Sequence, residues 1–125
     1  MSDPSQHWIE TYKSLLSLSV EGFKYLALIN GGAIVALLAY VANVSSKGVP
    51  VPDLHFALFG FASGLGFCGL TIISGYLTQL KLLNEIGRTN KGLIPHEAFL
   101  YSAITFYFLS LASFCTGTWY ALRAF

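Results

Sequence analysis

Few residues in this 125-residue sequence are of types that could do chemistry, and they stand far apart. The histidines are His7, His55 and His96, and no pair of them has the spacing of a metal-ligand set. His96-Glu97 could serve acid–base chemistry, but no nucleophile, oxyanion loop or third orienting group accompanies it. Gly64-Leu65-Gly66-Phe67-Cys68-Gly69 fits the GxGxxG pattern. As a dinucleotide fingerprint it needs a strand before it and a helix after it. Here it lies inside a run of 27 residues without a charge, so packing is the expected role. Cys68 and Cys115 fall about 21 and about 12 Å from the same expected helix ends, counted at the helical rise. A disulfide needs Cα atoms within about 7 Å, so both are read as small apolar packing residues. No catalytic, metal or cofactor site is expected, and the chain is not expected to be an enzyme.

The remaining chemistry is that of helix contact. Gly60, Gly64, Cys68, Thr71 and Gly75 follow one another at spacings of four or three and trace one helix face. In lipid, small residues let backbones approach closely, so this face is expected to be a helix-packing or oligomer seam. Its location, within one chain or between chains, is open at this stage. Asn30 is an amide inside a strongly apolar run and needs a partner. Counting depth from the expected span ends offers Thr71, Ser74 or Thr78; the sharper alternative is a polar ring lining a pore in an oligomer. Ser102, Thr105, Ser110, Ser113 and Thr116 are expected to bond back to their own helix.

These residues need elements to hold them, and the charges mark those elements out. Charged residues make up 10% of the chain, against roughly 25% in soluble domains. None occurs between Lys24 and Lys47, between Asp53 and Lys81, or between Glu97 and Arg123, windows of 22, 27 and 25 residues. About 20 apolar residues cross a bilayer as a helix. The expected fold is all-α, a single membrane domain over 1–125, with transmembrane helices at 23–44, 54–80 (extending to 86) and 96–122. Asp3-Pro4 signals a helix start, and Gly87 suits a helix cap before a polar turn over Arg88 to Leu93. Ser45 to Asp53, with two prolines and a glycine, is the first connection.

Before the first span, Trp8, Tyr12, Leu15, Leu16, Val20 and Phe23 recur at helical spacing opposite a polar face, giving an amphipathic helix over 4–22. It could lie flat on the membrane. Its polar face balances two lysines against two glutamates, which favours the upright form, packed on Leu80, Leu83 and Ile86 of the second helix. Five of the seven Lys and Arg flank the N-terminal side, which places the N-terminus in the cytoplasm and the C-terminus outside. The net charge of +1 gives no field for nucleic acid. Proton relays and coupled transporters place charges in mid-membrane, and these windows carry none.

Glu21-Gly22-Phe23-Lys24, Leu28-Ile29-Asn30-Gly31-Gly32-Ala33 and Tyr76-Leu77-Thr78-Gln79-Leu80 resemble small bacterial inner-membrane proteins of uncharacterised function. That resemblance implies a bacterial inner membrane. The length and three spans are also similar to class I phage holins. The chain departs from them in ending Arg123-Ala124-Phe125 rather than in a basic tail, and in its expected orientation. The expectation is a non-enzymatic homo-oligomeric helical assembly that could form a pore. The alternatives are an accessory subunit of a larger membrane complex and a holin-like permeabiliser. The expected partners are the lipid bilayer and either itself or another membrane protein.

Overall fold

Ser46 is followed by a lysine and a glycine, and there the first helix stops. Gly48 takes a left-handed conformation, φ 69°. Its N–H bonds the Ser45 carbonyl at 3.1 Å, and the Val49 N–H bonds the Val44 carbonyl at 3.4 Å. This is a Schellman termination, which glycine enters without a Cβ penalty. The chain then runs extended through two prolines to Asp53, whose Oδ1 accepts the His55 N–H at 3.1 Å and opens the next helix. The computed structural model describes residues 4–85 and 96–125. The expected cap at Asp3, Ile86, the cap at Gly87, the Arg88–Leu93 turn and Pro95 lie outside the described residues.

The described residues form three helices: α1 (Pro4–Ser46), α2 (His55–Glu85) and α3 (His96–Ala124). The protein is all-α, and each helix is long and apolar enough to cross a membrane. α1 has 43 residues, about 65 Å at the helical rise. The amphipathic segment and the first span are therefore one unbroken element. No proline interrupts it, and Gly22 carries the helix through with the Tyr107 ring against the space its missing side chain leaves.

α2 and α3 form the tightest pair, and α1 packs chiefly on α2. From Leu54, just before α2, the buried positions run Ala57, Gly60, Phe61, Gly64, Cys68, Thr71, Ser74 and Thr78, and all but Gly60 follow one another at spacings of three or four. That 3.5-residue repeat is the seam of left-handed helix packing. At one end Leu54, Ala57 and Phe61 form a core with Ala33, Ile34, Leu37 and Val41 of α1 and Phe114, Ala121 and Ala124 of α3.

The distribution of polarity is inverted relative to a soluble bundle. Asn30, Thr71, Ser74, Thr78 and Ser110 are buried, while Leu28, Val35, Phe59, Ile73, Phe108 and Leu122 point outward. In water such an exterior would be a liability over its whole surface. With lipid as the solvent, apolar side chains cost nothing outside and polar ones find partners inside. This surface agrees with the three candidate spans in making the chain a membrane protein.

Candidate functional site: a buried polar clasp

Asn30 on α1 is fully buried, with 0% exposure, and so is Ser110 on α3. Asn30 Nδ2 donates to the Leu26 carbonyl one turn back at 3.0 Å and to Ser110 Oγ at 3.5 Å. Ser110 Oγ in turn donates to the Gly64 carbonyl of α2 at 2.7 Å. One amide and one hydroxyl thus join all three helices in the middle of the bundle. Asn30 Oδ1 is buried without a conventional hydrogen-bond partner. The space a Cβ would fill at Gly64 is taken by the Asn30 carboxamide, whose Cγ would lie 2.7 Å from it. The oxygen therefore rests against the Gly64 Cα hydrogens, a weak C–H···O contact that only glycine permits.

This arrangement corrects the partner expected for Asn30. Thr71 and Thr78 are buried, but their hydroxyls bond back to Phe67 O and Ser74 O, each at 2.9 Å. The expectation took depth from the ends of the uncharged windows. Helix level is set instead by where backbones can approach, and Gly64 provides that place. Ser102, Thr105 and Thr116 do bond back to Phe99, Tyr101 and Ala112. Ser110 breaks that pattern by crossing to α2. A signal for it was present in the sequence: Ala103, Ser110, Gly117 and Ala124 recur every seven residues on α3.

The small-residue face of α2 meets both of its neighbours in this chain. A Cβ on Gly60 would stand 2.7 Å from Gly117 Cα and 2.9 Å from Gly117 N, so α2 and α3 touch there backbone to backbone. Gly117 in turn faces the Phe61 ring and the Ala57 carbonyl, at 3.0 and 3.1 Å from a built Cβ. Gly64 receives Asn30, and Cys68 Sγ lies 3.5 Å from the Phe23 carbonyl of α1. Gly75 has the Phe23 ring at 4.0 Å, and Thr71 is sealed between these contacts. Gly66 and Gly69, of the GxGxxG run, have open space where a Cβ would go, and the run is helical throughout.

The amphipathic face divides. Tyr12 donates to Gln79 Oε1 of α2 at 3.1 Å, and Phe23 is half-buried. Trp8 stacks on Tyr12, with ring centroids 5.7 Å apart, yet is 69% exposed. Leu15, Leu16 and Val20 are exposed too. Leu80 is exposed and Leu83 is 73% exposed, so they do not cover α1 as expected; the contact is polar and runs through Gln79, which the sequence reading overlooked. Cys68 is buried, whereas Cys115 is exposed, which corrects its reading as a packing residue; both are free thiols.

The charged groups lie outside the three uncharged windows. Lys24 and Glu21 pair at 3.0 Å on the surface, and Lys81 stands over the Phe99 ring at 5.3 Å. Arg123 stacks on Trp119 at 4.7 Å. His55 Nδ1 lies 2.8 Å from Asp53 Oδ1. The ring contact and then the His55 backbone N–H hold the exposed Asp53 carboxyl below its ordinary range. Among the described residues no three His, Cys, Asp or Glu side chains converge. No family model, curated protein or solved structure matches the chain.

Proposed function

We propose that the chain is a non-enzymatic integral membrane protein that works as a homo-oligomer of three-helix units. The supporting observation is the apolar row left open on α1. Trp8, Leu15, Leu16 and Val20 are exposed on the third of the helix that precedes the Glu21–Lys24 pair. From Lys24 to Ser46 the helix already measures about 33 Å, the thickness of a hydrocarbon core. The row before it stands at or beyond the membrane surface, where an apolar face needs cover. Orientation rests on the Lys and Arg bias, with the N-terminus cytoplasmic; a bacterial inner membrane rests on the resemblance.

Pore formation belongs to this proposal only in one form. Asn30 is turned inward and spent on Ser110 and Leu26, so it does not supply a polar ring. A pore between copies would be walled by apolar side chains and would gate by dewetting. The same open row favours a second reading, an accessory subunit whose partner covers Trp8 and Leu15.

Light scattering of the protein in mild detergent decides between them. A discrete oligomer that Leu15→Glu with Leu16→Glu dissociates supports self-association. A strict monomer that purifies from native membranes with a stoichiometric partner supports the accessory role. A strict monomer without a partner, silent in liposome dye release, removes both readings and the holin-like one.

A further inference from the structure

α1 and α2 meet in a register that can be counted along both chains. Phe23 lies on Cys68, whose Sγ is 3.5 Å from the Phe23 carbonyl. Four residues back on α1 and four forward on α2 stand Ser19 and Ile72; seven give Leu16 and Gly75, and eleven give Tyr12 and Gln79. On α1 these residues continue through Phe23 to Leu26 and Asn30 in alternating steps of four and three, so they form one packing row. Leu26 and Asn30 are fully buried at one end of the row, and Tyr12 bonds Gln79 at the other. Between these contacts the row is open. Every residue from Lys13 to Glu21 is exposed, on the inner side of α1 as on the outer. Opposite, Ile72 of α2 is 49% exposed. A Cβ on Gly75 would meet the Phe23 ring at 4.0 Å and nothing of Leu16.

The Tyr12–Gln79 bond accounts for the gap. It joins the tips of two long side chains, so it can be made with the helix axes further apart than the ~8–10 Å of direct packing. Direct packing would bury Leu16 and Ile72, both apolar, and the bare Cα of Gly75 leaves room for the leucine. The Ser19 hydroxyl is already bonded to the Leu15 carbonyl at 2.9 Å, so closing over it leaves no polar group unpaired. No Lys or Glu of α1 stands in the row.

We propose that the α1–α2 interface has a second, closed state, in which Tyr12 swings off Gln79 and Leu16 and Ser19 zip onto Gly75 and Ile72 in the register that Phe23 and Cys68 already set. Tyr12 is the strut of the open state. The step is a small shear between two packed helices. It is independent of self-association, because Leu15 and Val20 flank the row and stay bare in both states.

Disulfide trapping in reconstituted vesicles tests this. Ser19→Cys with Ile72→Cys, in a chain with Cys68→Ala and Cys115→Ala, is exposed to a mild oxidant. Linked thiols are counted by their loss of maleimide labelling, and gel mobility separates links within a chain from links between chains. The pair should link within the chain, since closure brings the two Cα atoms within the ~7 Å that a disulfide needs. Adding Tyr12→Phe, which removes the hydrogen bond to Gln79, should raise the linked fraction about two- to tenfold, the shift that the loss of one net hydrogen bond allows. Ser19→Cys with Ile73→Cys, one residue further round α2, should stay unlinked. Phe23→Cys with the native Cys68, in a Cys115→Ala chain, is the docked pair that shows oxidation has worked, and helicity confirms that each variant is folded. If the docked pair links while Ser19→Cys with Ile72→Cys does not, with or without Tyr12→Phe, there is no closed state. Equal linking to Ile72→Cys and Ile73→Cys, or a linked fraction that Tyr12→Phe leaves unchanged, also overturns the proposal. So do links formed only between chains, which would mean that a second copy covers the row.

Discussion

A single missing methyl group decides the geometry at the centre of this molecule. Gly64 accommodates the Asn30 carboxamide, so Gly64→Ala forces the amide or the helix to move. Overpacking of that kind costs about 1–3 kcal/mol. Ser110→Ala leaves Gly64 O with its helical bond and Asn30 with Leu26, and should cost about 0.6–1.7 kcal/mol, the range of interhelical hydrogen bonds in membranes. Unfolding in mixed micelles, followed by helicity, should rank Gly64→Ala as the more damaging change. At the exposed end, Asp53 holds the start of α2 through His55. Its folded carboxyl titrates below the unfolded one, so its contribution is complete above the ordinary Asp range, near pH 4. It is lost as pH falls through the lowered folded value. Amide exchange in the first turn of α2 should therefore accelerate at acid pH, and Asp53→Asn should flatten that dependence. The sequence alone disclosed that Asn30 needed a partner. It could not disclose which, because an amide can be met at any level where a neighbouring backbone comes near.

Among elements, the glycines of α2 separate into two kinds that look alike in sequence. Gly60 meets Gly117 backbone to backbone, whereas Gly66 and Gly69 face open space. Gly60→Ala should destabilise by about 1–3 kcal/mol, since α2 and α3 must part. Gly66→Ala and Gly69→Ala should be neutral or stabilising by up to about 1 kcal/mol, because alanine relieves the backbone entropy cost of glycine in a helix. The same micelle titration reads both signs. Helix number and limits were legible from uncharged windows bounded by Lys-Gly and paired prolines. The mutual level of the helices was not, because window ends record where charges stop and backbones dock elsewhere. The seven-residue line from Ala103 to Ala124 passed unnoticed among aromatic neighbours, and its serine was discounted as a self-bonding hydroxyl.

For the whole molecule, the inverted surface makes a prediction about depth. Phe108 is exposed near the middle of α3, at the level of the clasp. Phe108→Arg should lower insertion by about 2.5–3.5 kcal/mol, the cost of an arginine at a helix centre. Leu83 is equally bare, but it lies 29 residues beyond Leu54, about 44 Å along the helix axis, past a hydrocarbon core of about 30 Å. Leu83→Arg should insert normally. Glycosylation-mapped insertion of the two variants tests the contrast, and equal penalties would refute the placement of the membrane. The lipid environment was legible from charge spacing because a solvent acts on every residue at once, whereas the clasp depends on three atoms.

α1 runs without a break from Pro4 to Ser46, and that continuity has a mechanical meaning. A shift or rotation of one end of a continuous helix is passed along its axis, so a partner docked on Trp8 would act on the Gly48 turn at the other end.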